Sequence, residues 1–346
     1  MSKLLITGGS GFIGYHFHQY FPQAQITNID LVPPNLPLQS TYINGDIRIK
    51  ENVERAIEES QCETILNLAG VHNDFGRTRE EYFDTNERGT KVLCEAATKY
   101  NIKKIILYSS VAVYGDKPTP THEKMIPRPS NPYGASKLAA EKVVKEWAAA
   151  DKQRSVLIMR PVVIYGEQNT ANMYRLIDQI QKGRYVHIGK AEVIKSIGYV
   201  KNLVEATKFL MNGLQSGVHT YNFADEPQLS SRVIAETIIG ALGKKNAPTL
   251  PYWLVYLMGL PFDLAIKITG KDLPISTNRV NKFCSSTHHG AAKLKAAGFK
   301  PKYTNEEGLA NMVKWYLGNK EMANKENNFK TGSTLSYKQS ATADSL

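Results

Sequence analysis

Cysteine is scarce in this 346-residue chain: Cys62, Cys94 and Cys284 stand far apart, with no CxxC pair. An odd, scattered set excludes a disulfide framework and points to a reducing compartment. Long hydrophobic runs are missing too. A spanning helix needs ~20 consecutive apolar residues, and the nearest candidate, 252–268, is broken by Pro261 and Asp263. No cleavable leader is expected, because Lys3 leads directly into a strand and a glycine-rich turn. Together these absences predict a cytoplasmic protein. Cys284, His288 and His289 lack a fourth partner with ligand spacing, so no metal is expected. No internal repeat is present. Acidic residues fall short of basic ones, 32 against 43, for a formal net charge of +11 and a pI of about 9.3. The excess favours anionic partners. No DNA- or RNA-binding motif accompanies it, so nucleic acid is not expected among them.

What is present is an alternation of short β-branched runs with amphipathic helical stretches, which reads as an α/β fold: a doubly wound parallel sheet covered by helices. Strands are expected at 3–7, 25–30, 41–44, 64–68, 104–108 and 156–160, with helices such as 52–59 and 86–100 between them. Beyond Glu167 the pattern loosens. The expected division is a first domain over 1–165, with 200–224 returning to its sheet as helix then strand. A smaller C-terminal α/β domain takes 166–199 and 225–319 and covers a substrate. Residues 320–346 are polar and nearly free of apolar side chains, and are expected to be a disordered tail.

The first strand runs into Gly8-Gly9-Ser10-Gly11-Phe12-Ile13-Gly14, and a helical segment follows. Strand, glycine turn and helix in that order form a Rossmann-type dinucleotide cradle: the glycines allow a tight turn and close backbone approach to a pyrophosphate. The helix N-terminus offers free N–H groups and partial positive charge. Asp30 ends the second strand ~20 residues further on, where a carboxylate accepts both ribose hydroxyls and repels a 2′-phosphate. Leu31, Val32 and Pro33 follow, with no Arg to neutralise such a phosphate, so NAD is expected rather than NADP. Asp46, after the third strand, is placed either to meet the adenine edge or to cap a helix.

The strand at 104–108 delivers Ser109 and Ser110 at its carboxyl end, where open α/β sheets bind ligands. Then comes Asn131-Pro132-Tyr133-Gly134-Ala135-Ser136-Lys137. Asn131 can cap a helix that starts at Pro132, which puts Tyr133 and Lys137 one turn apart on one face. A phenol is a poor base at neutral pH, and an ammonium beside it favours the phenolate. Lowering its pKa by about three units takes roughly 4 kcal/mol of differential interaction. Ser110 can hold a sugar hydroxyl in line for the proton transfer.

The segments TGGSGFIG, NLAG at 67–70, YSSVAVYG at 108–115 and PYGASK at 132–137 resemble the extended short-chain dehydrogenases that act on nucleotide sugars, over about residues 1–317. The resemblance implies Tyr133 as acid/base, Lys137 as its electrostatic partner and ribose ligand, and Ser110 as the third catalytic member. It implies a cofactor site of Gly8, Gly11, Phe12, Ile13, Gly14, Asp30, Asp46, Ile47, Leu68, Ala69, Gly70, Asn86, Ser109, Tyr133 and Lys137, with Pro161 and Val163, beside Arg160 and Val162, near the nicotinamide. His72, Ser110, Val111, Tyr133 and Lys195 are the substrate residues it implies, and a homodimer is the implied assembly. The family's 4,6-dehydratases carry an Asp-Glu pair after the catalytic hydroxyl residue. This chain has Val111-Ala112 there, which leaves C4 epimerisation with tightly held NAD as the expected reaction.

A closer resemblance, in KSIGYV at 195–200, KITGK at 267–271 and RVNKFC at 279–284, is to a bacterial surface-polysaccharide (O-antigen) subgroup. It includes enzymes that epimerise GlcNAc to GalNAc on undecaprenyl diphosphate. UDP-sugar epimerases usually place an Arg where this chain has Lys195. The apolar, aromatic segment at 252–258, followed by Lys267, Lys271, Arg279 and Lys282, suits peripheral contact with an anionic membrane, or alternatively forms a core helix beside a solvated basic face. A cytosolic UDP-GlcNAc or UDP-glucose 4-epimerase, an NAD-dependent nucleotide-sugar reductase or dehydrogenase, and a catalytically dead NAD-sensing regulator are the alternatives.

Overall fold

Six strands build the first part of a sheet: β1 (Leu4–Thr7), β2 (Ile26–Asp30), β3 (Thr41–Asn44), β4 (Thr64–Asn67), β5 (Lys104–Tyr108) and β6 (Ser155–Pro161). A seventh strand, Gly217–Phe223, pairs in parallel with β6. The order is Gly217–Phe223, β6, β5, β4, β1, β2, β3, and all six pairings are parallel. The strands are apolar on both sides because both faces are covered. In β1, Leu5 packs with Ile65, Ile105 and Ile158 on one face. Leu4 and Ile6 pack with Leu66, Ile106 and Leu157 on the other. Helices Lys50–Ser60, Gly89–Lys99 and Pro132–Ala149 supply side chains to the first face, and Phe12–Tyr20 and Val200–Asn212 to the second.

The computed structural model describes residues 3–21, 26–38, 40–72, 76–116, 120–269 and 276–318. The expected tail at 320–346 and Lys271 lie outside the described residues. The expected helix at 86–100 falls in two pieces, the end of a π-turn at Asp84–Arg88 and the helix Gly89–Lys99, and the helical run begins earlier, at Arg79–Phe83, opened by a Thr78/Glu81 capping box. Periodicity alone does not reveal one extra residue in a turn.

The chain divides into two units, the first from Met1–Ile164, Ser196–Gln228 and His288–Tyr303. The segment at 288–303 thus differs from the expected boundary, which grouped it with 225–319. Three contacts within the first unit hold it: Leu294 packs in the second-face core, His289 Nδ1 meets Thr121 Oγ1 at 2.7 Å, and Tyr303 N–H donates to Asn202 Oδ1 at 3.1 Å.

Among the described residues, the second unit takes those of Tyr165–Lys195, Leu229–Thr287 and 304–318. Its helices include Asn172–Gln181, Ser231–Ala241 and Asn305–Gly318. Tyr316 donates to Asp178 at 2.8 Å and lies edge-on to Tyr174. A further pair, Tyr252–Thr269 and Thr277–Cys284, is tied by Thr277 Oγ1 donating to Asp263 at 2.5 Å and by Tyr252 donating to Asn281 at 2.6 Å. The residues of 252–258 are therefore helical, but they are no core helix: Gly259 is the buried residue of Tyr252–Thr269.

Candidate active site

The sheet reverses its order between β1 and β4, and the carboxyl ends at such a switch point form a ligand crevice. Both ends carry a loop without bulk. Gly8 has φ +70°, and a Cβ on it would stand 2.7 Å from the backbone nitrogen of Ala69. The loops after β1 and β4 therefore touch backbone to backbone. Thr7 and Asn67, opposite each other in register, lock them by a 2.7 Å side-chain hydrogen bond. Helix Phe12–Tyr20 starts at Gly11 with no side-chain cap and no acidic residue in its first turn. Its first N–H groups and positive pole fit a diphosphate.

Asp30, at the end of β2, accepts the Ser10 N–H at 3.0 Å. Burial raises its carboxyl pKa, opposed by N–H groups of Ser10, Val32 and Leu31. Asp30, Ser10 and the helix N-terminus thus form one cradle that fits an adenosine diphosphate. Two neighbours are differently engaged. Asp46 is no helix cap: Ile49 stands at the start of Lys50–Ser60. The Asp46 carboxylate is gripped by Arg48, closest at 2.6 Å, and Arg48 also reaches Asp84 at 2.8 Å. Burial works against the Asp46 charge, but Arg48 prevails and holds the carboxyl below its ordinary value. Ile47 gives its side chain to the core.

Three residues that the sequence assigns to the site converge after β4 and β5. A Cβ on Gly70 would stand 2.7 Å from Asn86 Oδ1 and 2.8 Å from Lys137 Nζ, so a side chain here would push both groups from their places. Asn86, on the π-turn, accepts from Val71 N–H at 2.9 Å and donates to Val71 O at 3.0 Å and Ser136 Oγ at 2.9 Å. Single π-turns often sit at functional sites. Lys137 Nζ donates to Tyr108 O at 3.0 Å. Burial lowers its pKa to about 8.

The helix Pro132–Ala149 begins at Asn131, whose Oδ1 accepts from Gly134 N–H at 2.8 Å. Tyr133 and Lys137 are one turn apart on it, and Tyr133 is partly exposed with Tyr82 6.1 Å from its ring. Ser110 caps a short 3₁₀ turn, Val111–Tyr114, and accepts from Ala112 N–H at 3.1 Å. His72 is exposed, and Leu68 is half-buried with its N–H on Thr7 O at 3.0 Å. Lys195 belongs to the second unit, where its Nζ donates to Ser285 O at 2.6 Å.

Two residues turn inward, away from their expected roles. Ser109 donates to Glu141 at 2.7 Å, and Arg160 grips both Glu141 oxygens, at 2.7 and 2.6 Å. Glu141 and Arg160 are both buried. Burial raises the Glu141 pKa, but Arg160 overrides it and holds the carboxyl below its ordinary value. Arg160 also donates to Tyr114 at 2.8 Å, and Tyr114 to Asn222 at 2.8 Å. Hence Arg160 serves this network, while Pro161 is buried at the end of β6 and Val163 is exposed. Sequence reasoning passed over Glu141, although the signal was there: it falls in the helix's buried stripe, with Lys137, Ala140, Val144 and Ala148.

The model of the family described as "Epimerase: NAD dependent epimerase/dehydratase family" matches residues 4–224. The chain is 36% identical over 310 residues to the N-acetyl-alpha-D-glucosaminyl-diphospho-ditrans,octacis-undecaprenol 4-epimerase of Escherichia coli O157:H7, covering 89% of this chain and 93% of that protein. It is 25% identical over 343 residues to the UDP-glucose 4-epimerase of Bacillus subtilis (strain 168), covering 91% and 97%. The solved UDP-glucose 4-epimerase of Thermus thermophilus, in complex with NAD, is alike in fold: TM-score 0.71 at 22% identity, covering 91% of this chain and 99% of that one. With its dinucleotide cradle and its tyrosine–lysine helix in place, this chain belongs to the NAD-dependent epimerase/dehydratase family.

Proposed function

We propose that the protein is a sugar 4-epimerase that converts GlcNAc to GalNAc on undecaprenyl diphosphate in polysaccharide synthesis. The observation that carries this reading is Lys137: a buried ammonium one turn from Tyr133, with Ser110 at the adjoining strand end and no carboxylate pair beside it. Bound NAD supplies reversible hydride acceptance at the sugar's C4. Tyr133 takes the proton of the 4-hydroxyl and returns it. Lys137 stays charged below about pH 8, and in a site shielded from water that charge favours the phenolate more than it could in solvent. Ser110 orients the hydroxyl. Dehydration needs a further acid/base carboxylate, and Val111-Ala112 offers none. The carrier follows the Escherichia coli relative, whose name specifies an undecaprenyl diphosphate sugar.

The second unit supports a peripheral membrane location. On helix Tyr252–Thr269, Trp253, Leu257, Leu260, Leu264 and Ile268 repeat at helical spacing, and all are exposed, Trp253 by 61% and Ile268 by 74%. An apolar stripe facing outward, with Lys267 and Arg279 exposed nearby, matches an anionic bilayer surface. Among the described residues no helix is long and apolar enough to cross a membrane. A homodimer is part of the same proposal, checked by sedimentation.

The test is side-by-side incubation with undecaprenyl-diphosphate GlcNAc and UDP-GlcNAc, with no added NAD. Conversion of the lipid-linked sugar alone supports the reading. Ready turnover of UDP-GlcNAc, with the lipid-linked sugar untouched, replaces it with a UDP-sugar 4-epimerase.

A further inference from the structure

The second unit holds a cavity of about 430 Å³, lined among others by Ile188, Ala191, Val193, Tyr252, Phe283 and Cys284. This volume lies in the range of small-molecule sites, about 300–1,000 Å³. Its rim is fixed by hydrogen bonds: Gly189 N–H donates to Leu250 O at 2.9 Å, Arg232 N–H to Ala191 O at 2.9 Å, and Ser231 Oγ to Ala191 O at 2.8 Å. The cavity is therefore built before any ligand arrives.

Two neighbours give it polarity. On one side Cys284 leads into Ser285, whose carbonyl holds the half-buried Lys195 ammonium at 2.6 Å. Lys195 is near enough to oppose the rise that burial imposes on the Cys284 thiol. On the other side Tyr252 begins the helix whose outward stripe is apolar. A cation, a cavity whose lining is mostly apolar but includes the exposed Lys190 and Glu192, and an apolar stripe thus lie within one unit. A ligand that satisfies all three has an anionic head and a long apolar tail.

We infer that this cavity binds the prenyl segment next to the diphosphate, with Lys195 on the phosphate and the rest of the chain passing along Tyr252–Thr269 to the bilayer. The inference rests on the lipid-linked reading of the substrate. Each methylene moved from water into such a lining tightens binding by roughly fourfold, from ~0.8 kcal/mol per group. The first isoprene units should therefore add far more affinity than the diphosphate alone.

Cys284 provides a readout independent of turnover, because it lines the cavity while Cys62 and Cys94 are buried. The full-length protein is alkylated with N-ethylmaleimide and modification of Cys284 followed by mass spectrometry, with geranyl diphosphate or inorganic diphosphate as protectant. Geranyl diphosphate is expected to protect at concentrations at least tenfold below inorganic diphosphate. Ile188→Trp, which fills the cavity, should abolish the difference, with Val193→Trp as a second filling variant. Equal protection by the two compounds, or none by either, overturns the inference. Turnover of undecaprenyl-diphosphate GlcNAc judges the substrate reading separately: prenyl-dependent protection without that turnover leaves the cavity and sinks the reading, and turnover without such protection does the reverse.

Discussion

Replacing Lys137 by Met should abolish turnover and yet stabilise the NAD-free protein at neutral pH. Lys137 is buried, its ammonium donates to Tyr108 O at 3.0 Å, and among the described residues no carboxylate is paired with it. Burial brings its pKa down to about 8, against ~10.4 for a solvated lysine. A gap of ~2.5 corresponds to roughly 3 kcal/mol against the charged form. Methionine has similar length and no charge to desolvate. It forgoes the hydrogen bond to Tyr108, a loss of about 1 kcal/mol. The net gain at pH 7 is about 2 kcal/mol, or some 4–8 °C in Tm for a domain of this size.

The sign depends on pH. Below about pH 8 both folded and unfolded lysine are protonated, so the full cost of burying the charge weighs on the wild type. Between about 8 and 10.4 the unfolded chain holds the extra proton, and wild-type stability climbs with pH. The advantage of Lys137→Met should therefore vanish by pH 10. Thermal unfolding of both proteins without NAD, at pH 7 and pH 10, checks this. A lower Tm for the variant at pH 7, or a gain that persists unchanged at pH 10, refutes the reasoning: the first denies the desolvation cost, and the second makes the effect one of packing.

Tyr133→Phe should retain NAD but lose turnover by about 10²-fold or more, the scale of general acid–base catalysis; near wild-type rates would remove Tyr133 from its role. Asp30→Ala should erode discrimination against NADP, measured by the dissociation constants of both cofactors, and an unchanged ratio would show that the ribose is held elsewhere. Binding to liposomes should strengthen with anionic lipid, by about 1 kcal/mol per basic residue near the surface, and weaken with salt. Trp253→Ser with Leu257→Ser should reduce it while NAD binding stays intact; indifference to that change would clear the stripe of a membrane role.

The sheet was legible because its strands are short, β-branched and bounded by punctuation such as Gly8-Gly9 and Gly70. Periodicity fails where one residue changes a turn's pitch, as at Asp84–Arg88, or where a late segment such as 288–303 returns by long-range contact. In the site, Tyr133, Lys137, Ser110 and Asp30 follow from spacing and strand ends. The inward turn of Arg160 and Ser109 did not, because a sequence shows that a residue is polar but not which partner neutralises it. The apolar composition of 252–258 was readable, but not its exposure, which depends on how little of Tyr252–Thr269 the rest of its unit covers.

We predict that the buried pair Glu141–Arg160 is coupled to Lys137. Glu141 lies four residues after Lys137 on the same helix, the spacing at which opposite charges meet. In the protein as folded, Arg160 takes both Glu141 oxygens, and burial alone lowers the Lys137 pKa. Arg160→Met leaves that carboxylate to Ser109, at 2.7 Å, and to Lys145, at 3.2 Å, and opens the place of the guanidinium to Lys137. Breaking a buried pair on one side costs about 3–5 kcal/mol, and the freed charge can lower that cost by turning to Lys137. The lysine pKa then rises, its charge is quenched by a fixed partner, and less remains to favour the Tyr133 phenolate. We expect Arg160→Met to slow turnover and to move the alkaline limb of kcat/KM upward from about 8. Arg160→Met with Glu141→Gln should return that limb toward its wild-type position, since no carboxylate is left to capture the lysine. Equal losses in the single and double variants, with the limb fixed in both, would mean that the pair holds β6 to the helix and has no electrostatic hold on Lys137.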